Sequence, residues 1–144
     1  MTAKEYLQQV RRLDAQIDQR IEQLEDLRDK AVGFSQPLSP DKVQTSSSGD
    51  KTAQIVERCV DLEAHIKDMT IALMDLKGKI IDQIHELDDY RYIELLYLRY
   101  IRYMRLEDIS CTMKKRNGEP YSFDHIATLH GEALKSFSEK HKIP

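Results

Sequence analysis

Residues 55–87 read IVERCVDLEAHIKDMTIALMDLKGKIIDQIHEL, and in them Ile55, Cys59, Leu62, Ile66, Met69, Leu73, Leu76, Ile80, Ile84 and Leu87 recur at steps of 3 or 4. Such steps bring an apolar side chain back to one helical face about every 3.5 residues, the heptad period of a coiled coil, with one slip near Ile80. At ~1.5 Å per residue this helix extends roughly 50 Å. Val56, Val60, Ile71, Met74 and Ile81 make a second, ragged apolar flank beside the seam. A single helical partner covers the seam and leaves the flank wet. The flank is therefore expected to be a dimer or partner interface, unless C-terminal helices cover it.

A partner for the seam lies upstream. Thr2-Ala3-Lys4-Glu5 has the form of a capping box, and Val10, Leu13, Ile17, Ile21, Leu24, Leu27 and Ala31 follow at steps of 3 or 4. The spacing predicts a helix over about 3–31, with Gly33 as its stop. Pro37, Pro40, Ser46-Ser47-Ser48 and Gly49 mark a linker over about 32–51, within which Ser39-Pro40-Asp41 is placed to start a short turn. Residues 1–89 then form a long antiparallel coiled-coil helical hairpin, made within one chain or between two.

Residues 90–144 differ in character. Tyr90, Tyr92, Ile93, Leu95, Leu96, Tyr97, Leu98, Tyr100, Ile101, Tyr103 and Met104 are apolar on several sides, so this helix is expected to be buried nearly all round. A short helix follows with Leu106, Ile109 and Met113 inward and Cys111 beside them. Lys114-Lys115-Arg116-Asn117-Gly118-Glu119-Pro120 reads as a loop. Ser122 caps a last helix over about 122–138, whose inward stripe is Ile126, Leu129, Ala133, Leu134 and Phe137, with His130 packed at its edge. Three helices, the last two joined by a turn, are the helix-turn-helix plan, so the fold class is all-α.

Composition narrows the function classes. Charged residues make up 33% of the chain, above the roughly 25% of an average protein. Residues 52–90 carry −5, while residues 91–144 carry +3, so only the C-terminal third has an excess that attracts a polyanion. No apolar run approaches the ~20 residues of a membrane span and no signal peptide opens the chain, so a cytoplasmic protein without a membrane partner is expected. The cysteines, Cys59 and Cys111, read as free thiols in apolar surroundings. Neither a Gly-rich phosphate loop, a nucleophile elbow nor clustered His and Cys occurs in the sequence. No enzyme activity, cofactor or metal is expected.

Leu95-Leu96-Tyr97-Leu98-Arg99-Tyr100 followed by Leu106-Glu107-Asp108-Ile109-Ser110, and then Tyr121 to Leu134, is similar to the promoter-reading C-terminal domain of bacterial sigma factors. The start Met1-Thr2-Ala3-Lys4-Glu5-Tyr6-Leu7, Leu13-Asp14, Val60-Asp61-Leu62-Glu63 and His130-Gly131-x-Ala133-Leu134 resemble a family of small phage and prophage proteins. That family is of the ArpU and RinA late-gene transcriptional regulator type, with a coiled-coil arm before a sigma-like domain. The resemblance implies a sequence-specific DNA-binding regulator that reads the major groove of double-stranded DNA with its last helix. The segment Lys114 to Tyr121 is about twice as long as the usual turn of that plan.

Lys114, Lys115 and Arg116 precede the reading helix, where cations grip phosphate and set register; the alternative is a solvated loop tip. Ser122, Asp124, His125, Thr128 and Lys135 lie at its start or on its outer face, either as base and phosphate contacts or as an ordinary polar surface. Arg99, Arg102 and Arg105 form a stripe that tracks a backbone or, for Arg99, pairs with an acid of the second helix. A homodimer is expected, with RNA polymerase as a further partner. The rival reading is a coiled-coil protein-interaction module that binds RNA polymerase or another phage or host protein without DNA contact.

Overall fold

The computed structural model describes residues 1–35 and 46–144. All its regular elements are helical: α1 (Ala3–Ser35), α2 (Ser46–His85), α3 (Tyr90–Leu96) continued by a π-helical turn (Tyr97–Ile101), α4 (Leu106–Thr112) and α5 (Phe123–His141). The expected linker is narrower than 32–51, because helix enters it from both sides. Gly33 does not stop α1, and α2 already contains Gly49. Glycine in a helix costs about 1 kcal/mol relative to alanine, and extending a formed helix regains a hydrogen bond per residue. The turn expected at Ser39-Pro40-Asp41 lies outside the described residues.

The capping box forms as written. The Thr2 backbone N–H donates to the Glu5 carboxylate at 2.7 Å, and the Glu5 N–H donates to the Thr2 hydroxyl at 3.2 Å. The Thr2 backbone N–H, with the Thr2 hydroxyl second, holds the Glu5 carboxyl below its usual pKa.

The described chain divides into two units, one of residues 1–13 with 73–144 and one of residues 14–72, rather than at 89/90. The larger unit has two apolar clusters. In the first, Ala3, Leu7 and Val10 of α1 meet Ile80 and Ile84 at the end of α2 and Leu87 just after it, with Leu96, Tyr100, Ile101, Ala133 and Phe137. The start of α1 and the end of α2 are thus core elements of the C-terminal helices, which is why the boundary falls elsewhere. The second cluster, Leu95, Ile109, Met113, Ile126 and Leu129, fastens α4 and α5 to α3. In the smaller unit Leu24, Cys59 and Leu62 are buried, with Leu27, Ile55 and Ile66 against them. There Arg28 and Glu63 form an exposed ion pair, of a kind that contributes ~0–1 kcal/mol.

Three expectations need correction. Ile81 packs against the first cluster, so it is not part of an exposed flank. The tyrosine-rich helix is not buried throughout, since Tyr90 is 74% exposed. Asp89 caps α3 by accepting from the Arg91 N–H at 2.9 Å, which puts Tyr90 at the first helical position, beyond the packed turns. Cys111 is exposed, because Ile109 and Met113 turn inward four residues apart and the residue midway between them points away.

At the end of α3 the ladder widens. The Arg102 N–H reaches back five residues to the Tyr97 carbonyl at 3.1 Å, and the Arg99 guanidinium donates to the Met104 carbonyl at 2.9 Å. Arg99 thereby fastens the turn into α4 instead of pairing with an acid of α2. Tyr103 takes a φ of 60°, a left-handed conformation uncommon for a residue with a side chain.

Ser122 caps α5, its hydroxyl accepting from the His125 N–H at 3.1 Å. Ser122→Ala is expected to cost about 1 kcal/mol, and Ser122→Asp to cost much less, because a carboxylate caps equally well. Urea denaturation of the two variants beside the wild type measures this; equal losses would show that the cap contributes nothing.

Candidate nucleic-acid interface

The segment expected as a loop between α4 and α5 is a small hairpin. Lys114 and Pro120 form an antiparallel bridge, the Lys115 N–H donates to the Glu119 carbonyl at 2.8 Å, and the Gly118 N–H returns to the Lys115 carbonyl at 2.9 Å. Gly118 closes the turn at a φ of +83°, and the Asn117 side chain accepts from the Glu119 N–H at 3.0 Å. Every residue from Lys114 to Pro120 is exposed, so Lys114, Lys115 and Arg116 stand together in solvent. The hairpin is rooted by Met113, which is buried in the second cluster, and by Tyr121, partly buried against it.

Tyr121 connects the hairpin to α5. The Lys115 ammonium lies 5.8 Å from its ring centroid, and the His125 ring meets it edge-on at 4.9 Å. His125 is therefore partly buried on the flank of α5 rather than on its outer face, and the Ser122 hydroxyl is occupied by its cap. The outer face consists of Asp124, Thr128, Gly131 and Lys135, spaced so that they share one side of α5 opposite Ile126, Leu129, Ala133 and Phe137, and all four are exposed. Glu132 is drawn to the flank, where it accepts from the Tyr92 hydroxyl at 3.3 Å. Burial first, and Glu132 second, push the Tyr92 phenol above its usual pKa.

Behind the outer face, His130 is partly buried against α3. Its Nε2 lies 2.8 Å from the Tyr100 hydroxyl, and the two rings stack with centroids 5.7 Å apart. Burial pushes His130 down to about 4, helped by Arg99 and Lys4, and pushes Tyr100 up to about 12. His130 is thus neutral near pH 7 and serves packing, as its place beside the apolar stripe predicts.

An open cleft of about 550 Å³ lies between the hairpin and the start of α3, lined by Asp89, Tyr90, Arg91, Glu94, Met113, Lys114, Lys115, Arg116 and Tyr121. Sequence reasoning reached the hairpin cations and missed this juxtaposition, because Tyr90 reads as core within its dense apolar run. The signal that separates it is Asp89, whose capping type starts the helix directly before Tyr90. Along α2, Val56, Val60, Ile71 and Met74 are each about half exposed or more.

No family model, curated protein or solved structure matches the chain. Among the described residues no three or more His, Cys, Asp or Glu side chains are grouped so as to hold a metal ion, and no helix is long and apolar enough to cross a membrane.

Proposed function

We propose that the protein is a DNA-binding transcription regulator of phage or prophage type, which docks α5 in the major groove and grips the flanking phosphates with its hairpin. The observation that carries this reading is the hairpin itself. Three cations, Lys114, Lys115 and Arg116, are held in solvent immediately ahead of a helix whose outer face is free of packing duties. Phosphate contacts fix the register of a protein on duplex DNA, and side chains on the helix face read base edges. On that face Thr128 is the reader and Lys135 a phosphate contact, while Asp124 accepts from a cytosine amino group. His125 and Ser122 act indirectly, by setting the start of the helix.

The apolar residues Val56, Val60, Ile71 and Met74 support a homodimer through α2, and a two-fold protein calls for a palindromic or repeated site. A partner such as RNA polymerase on that flank is the second reading, and the same four residues favour it.

The test is a salt-titrated binding assay on DNA fragments flanking the gene, with the wild type and the triple variant Lys114→Glu, Lys115→Glu, Arg116→Glu. Selective binding with a steep salt dependence is expected. The variant should bind all sequences more weakly, with a log–log salt slope shallower by up to about 3, since each phosphate contact contributes ~0.9. Thr128→Ala should instead relax preference at particular bases. Absence of binding to any fragment at low salt would overturn the reading.

A further inference from the structure

We infer that the cleft between the hairpin and the start of α3 binds an unpaired nucleotide, with Tyr90 as the stacking platform for its base. This rests on the reading of the hairpin as a nucleic-acid contact and adds a second mode of engagement to it. Three observations converge. Tyr90 is 74% exposed at the rim of the cleft, although the next turns of its helix are packed. An aromatic ring held open beside cations is the combination by which proteins hold single strands: bases stack on the ring and the backbone follows the charge. The cleft, at about 550 Å³, is within the ~300–1,000 Å³ of small-molecule sites, whereas a paired base inside a duplex has no access to such a recess.

The charges in the cleft are arranged for this ligand. Arg91 is held by Asp89, with guanidinium bonds of 2.9 and 3.2 Å, so these two largely neutralise each other. The Arg91 guanidinium also lies 5.9 Å from the Tyr92 ring, which further fixes it. Lys114, Lys115 and Arg116 are then opposed within the lining by Glu94 alone. The cations take the phosphate at the hairpin side. Glu94, partly buried in the cleft, accepts from N–H groups on the edge of the base. Tyr121 is already engaged by Lys115 and His125, so it forms the wall and Tyr90 is the ring left for stacking.

The experiment is fluorescence anisotropy of the full-length protein with labelled oligo-dT, oligo-dC and oligo-dA, and with a duplex containing the site selected above. Tyr90→Ala is expected to weaken single-strand binding about tenfold with an unchanged salt slope, to leave duplex binding intact, and to leave the helical circular dichroism unaltered. Tyr90→Phe should bind as the wild type does, because stacking needs the ring and not the hydroxyl. Equal single-strand affinity in wild type and Tyr90→Ala would overturn the inference, as would equal loss on single strand and duplex. Duplex binding without any single-strand binding overturns this inference alone, whereas absence of both overturns the reading of the hairpin as well.

Discussion

Phe137→Ala is expected to destabilise the protein by about 3–5 kcal/mol, a large part of the ~5–15 kcal/mol that holds a typical domain folded. Phe137 has no exposed surface, and its ring lies 6.1 Å from that of Tyr6 and 4.6 Å from that of His141. Both neighbours direct polar groups to the end of α2. The Tyr6 hydroxyl donates to the Gln83 side-chain carbonyl at 2.7 Å, and His141 Nε2 bonds the Gln83 backbone carbonyl at 2.8 Å. Since a carbonyl only accepts, that nitrogen carries the proton. Removing the ring opens a cavity beside the two side chains that make these part-buried hydrogen bonds, so the loss should exceed that of a peripheral truncation. Leu134→Ala, partly buried on the same helix, is the control and should cost clearly less. Thermal and urea unfolding of both variants measure this; equal losses would show that Phe137 is no more central than its neighbour.

Acid should weaken the fold through His130 before it acts through the carboxylates. Its pKa is about 4 in the folded protein against about 6.5 unfolded, because burial disfavours the imidazolium and Arg99 and Lys4 repel it. Between these values the unfolded chain binds a proton that the folded chain does not, so stability falls as pH falls through that window and levels off below about 4. The full difference corresponds to about 3 kcal/mol, which partial solvent access of the ring reduces to on the order of 1–2 kcal/mol. Glu5 and Asp89 have lowered pKa values, so their stabilisation is lost only at lower pH, below the usual carboxylate range. Urea midpoints at pH 7 and pH 5 should therefore differ in the wild type and differ less in His130→Gln, whose amide retains a bond to the Tyr100 hydroxyl. An identical pH dependence in the two proteins would remove His130 from this account.

Periodicity located most of the fold. The heptad steps from Ile55 to Leu87 and the stripe Ile126, Leu129, Ala133 and Phe137 predict the inward faces found in the structure, because a helix buries what its period collects. The capping residues Thr2 and Ser122 were equally legible, their chemistry being local. Residues whose role depends on distant parts of the chain were not. Ile81 reads as flank and is covered, since the sequence does not say which helix lies over it. The π-helical turn is hidden in a run where every phase is apolar, and nothing local distinguishes a five-residue return from a four-residue one. Of the candidate site, the cations and the outer residues Asp124, Thr128 and Lys135 were legible from spacing. The flank position of His125 and the exposure of Tyr90 required the contacts of Tyr121 and the start of α3.

The hairpin between α4 and α5 contributes no side chain from Lys114 to Pro120 to either apolar cluster. Its length and charge are consequently free to change while the helices on either side stay as they are, much as an antigen-binding loop varies on a constant frame. In the proposed function, attraction to a polyanion falls mainly to the hairpin and recognition of its sequence to α5. Selection can raise or lower the one without retuning the other, and a designer can exchange the tip for a neutral turn and keep the scaffold.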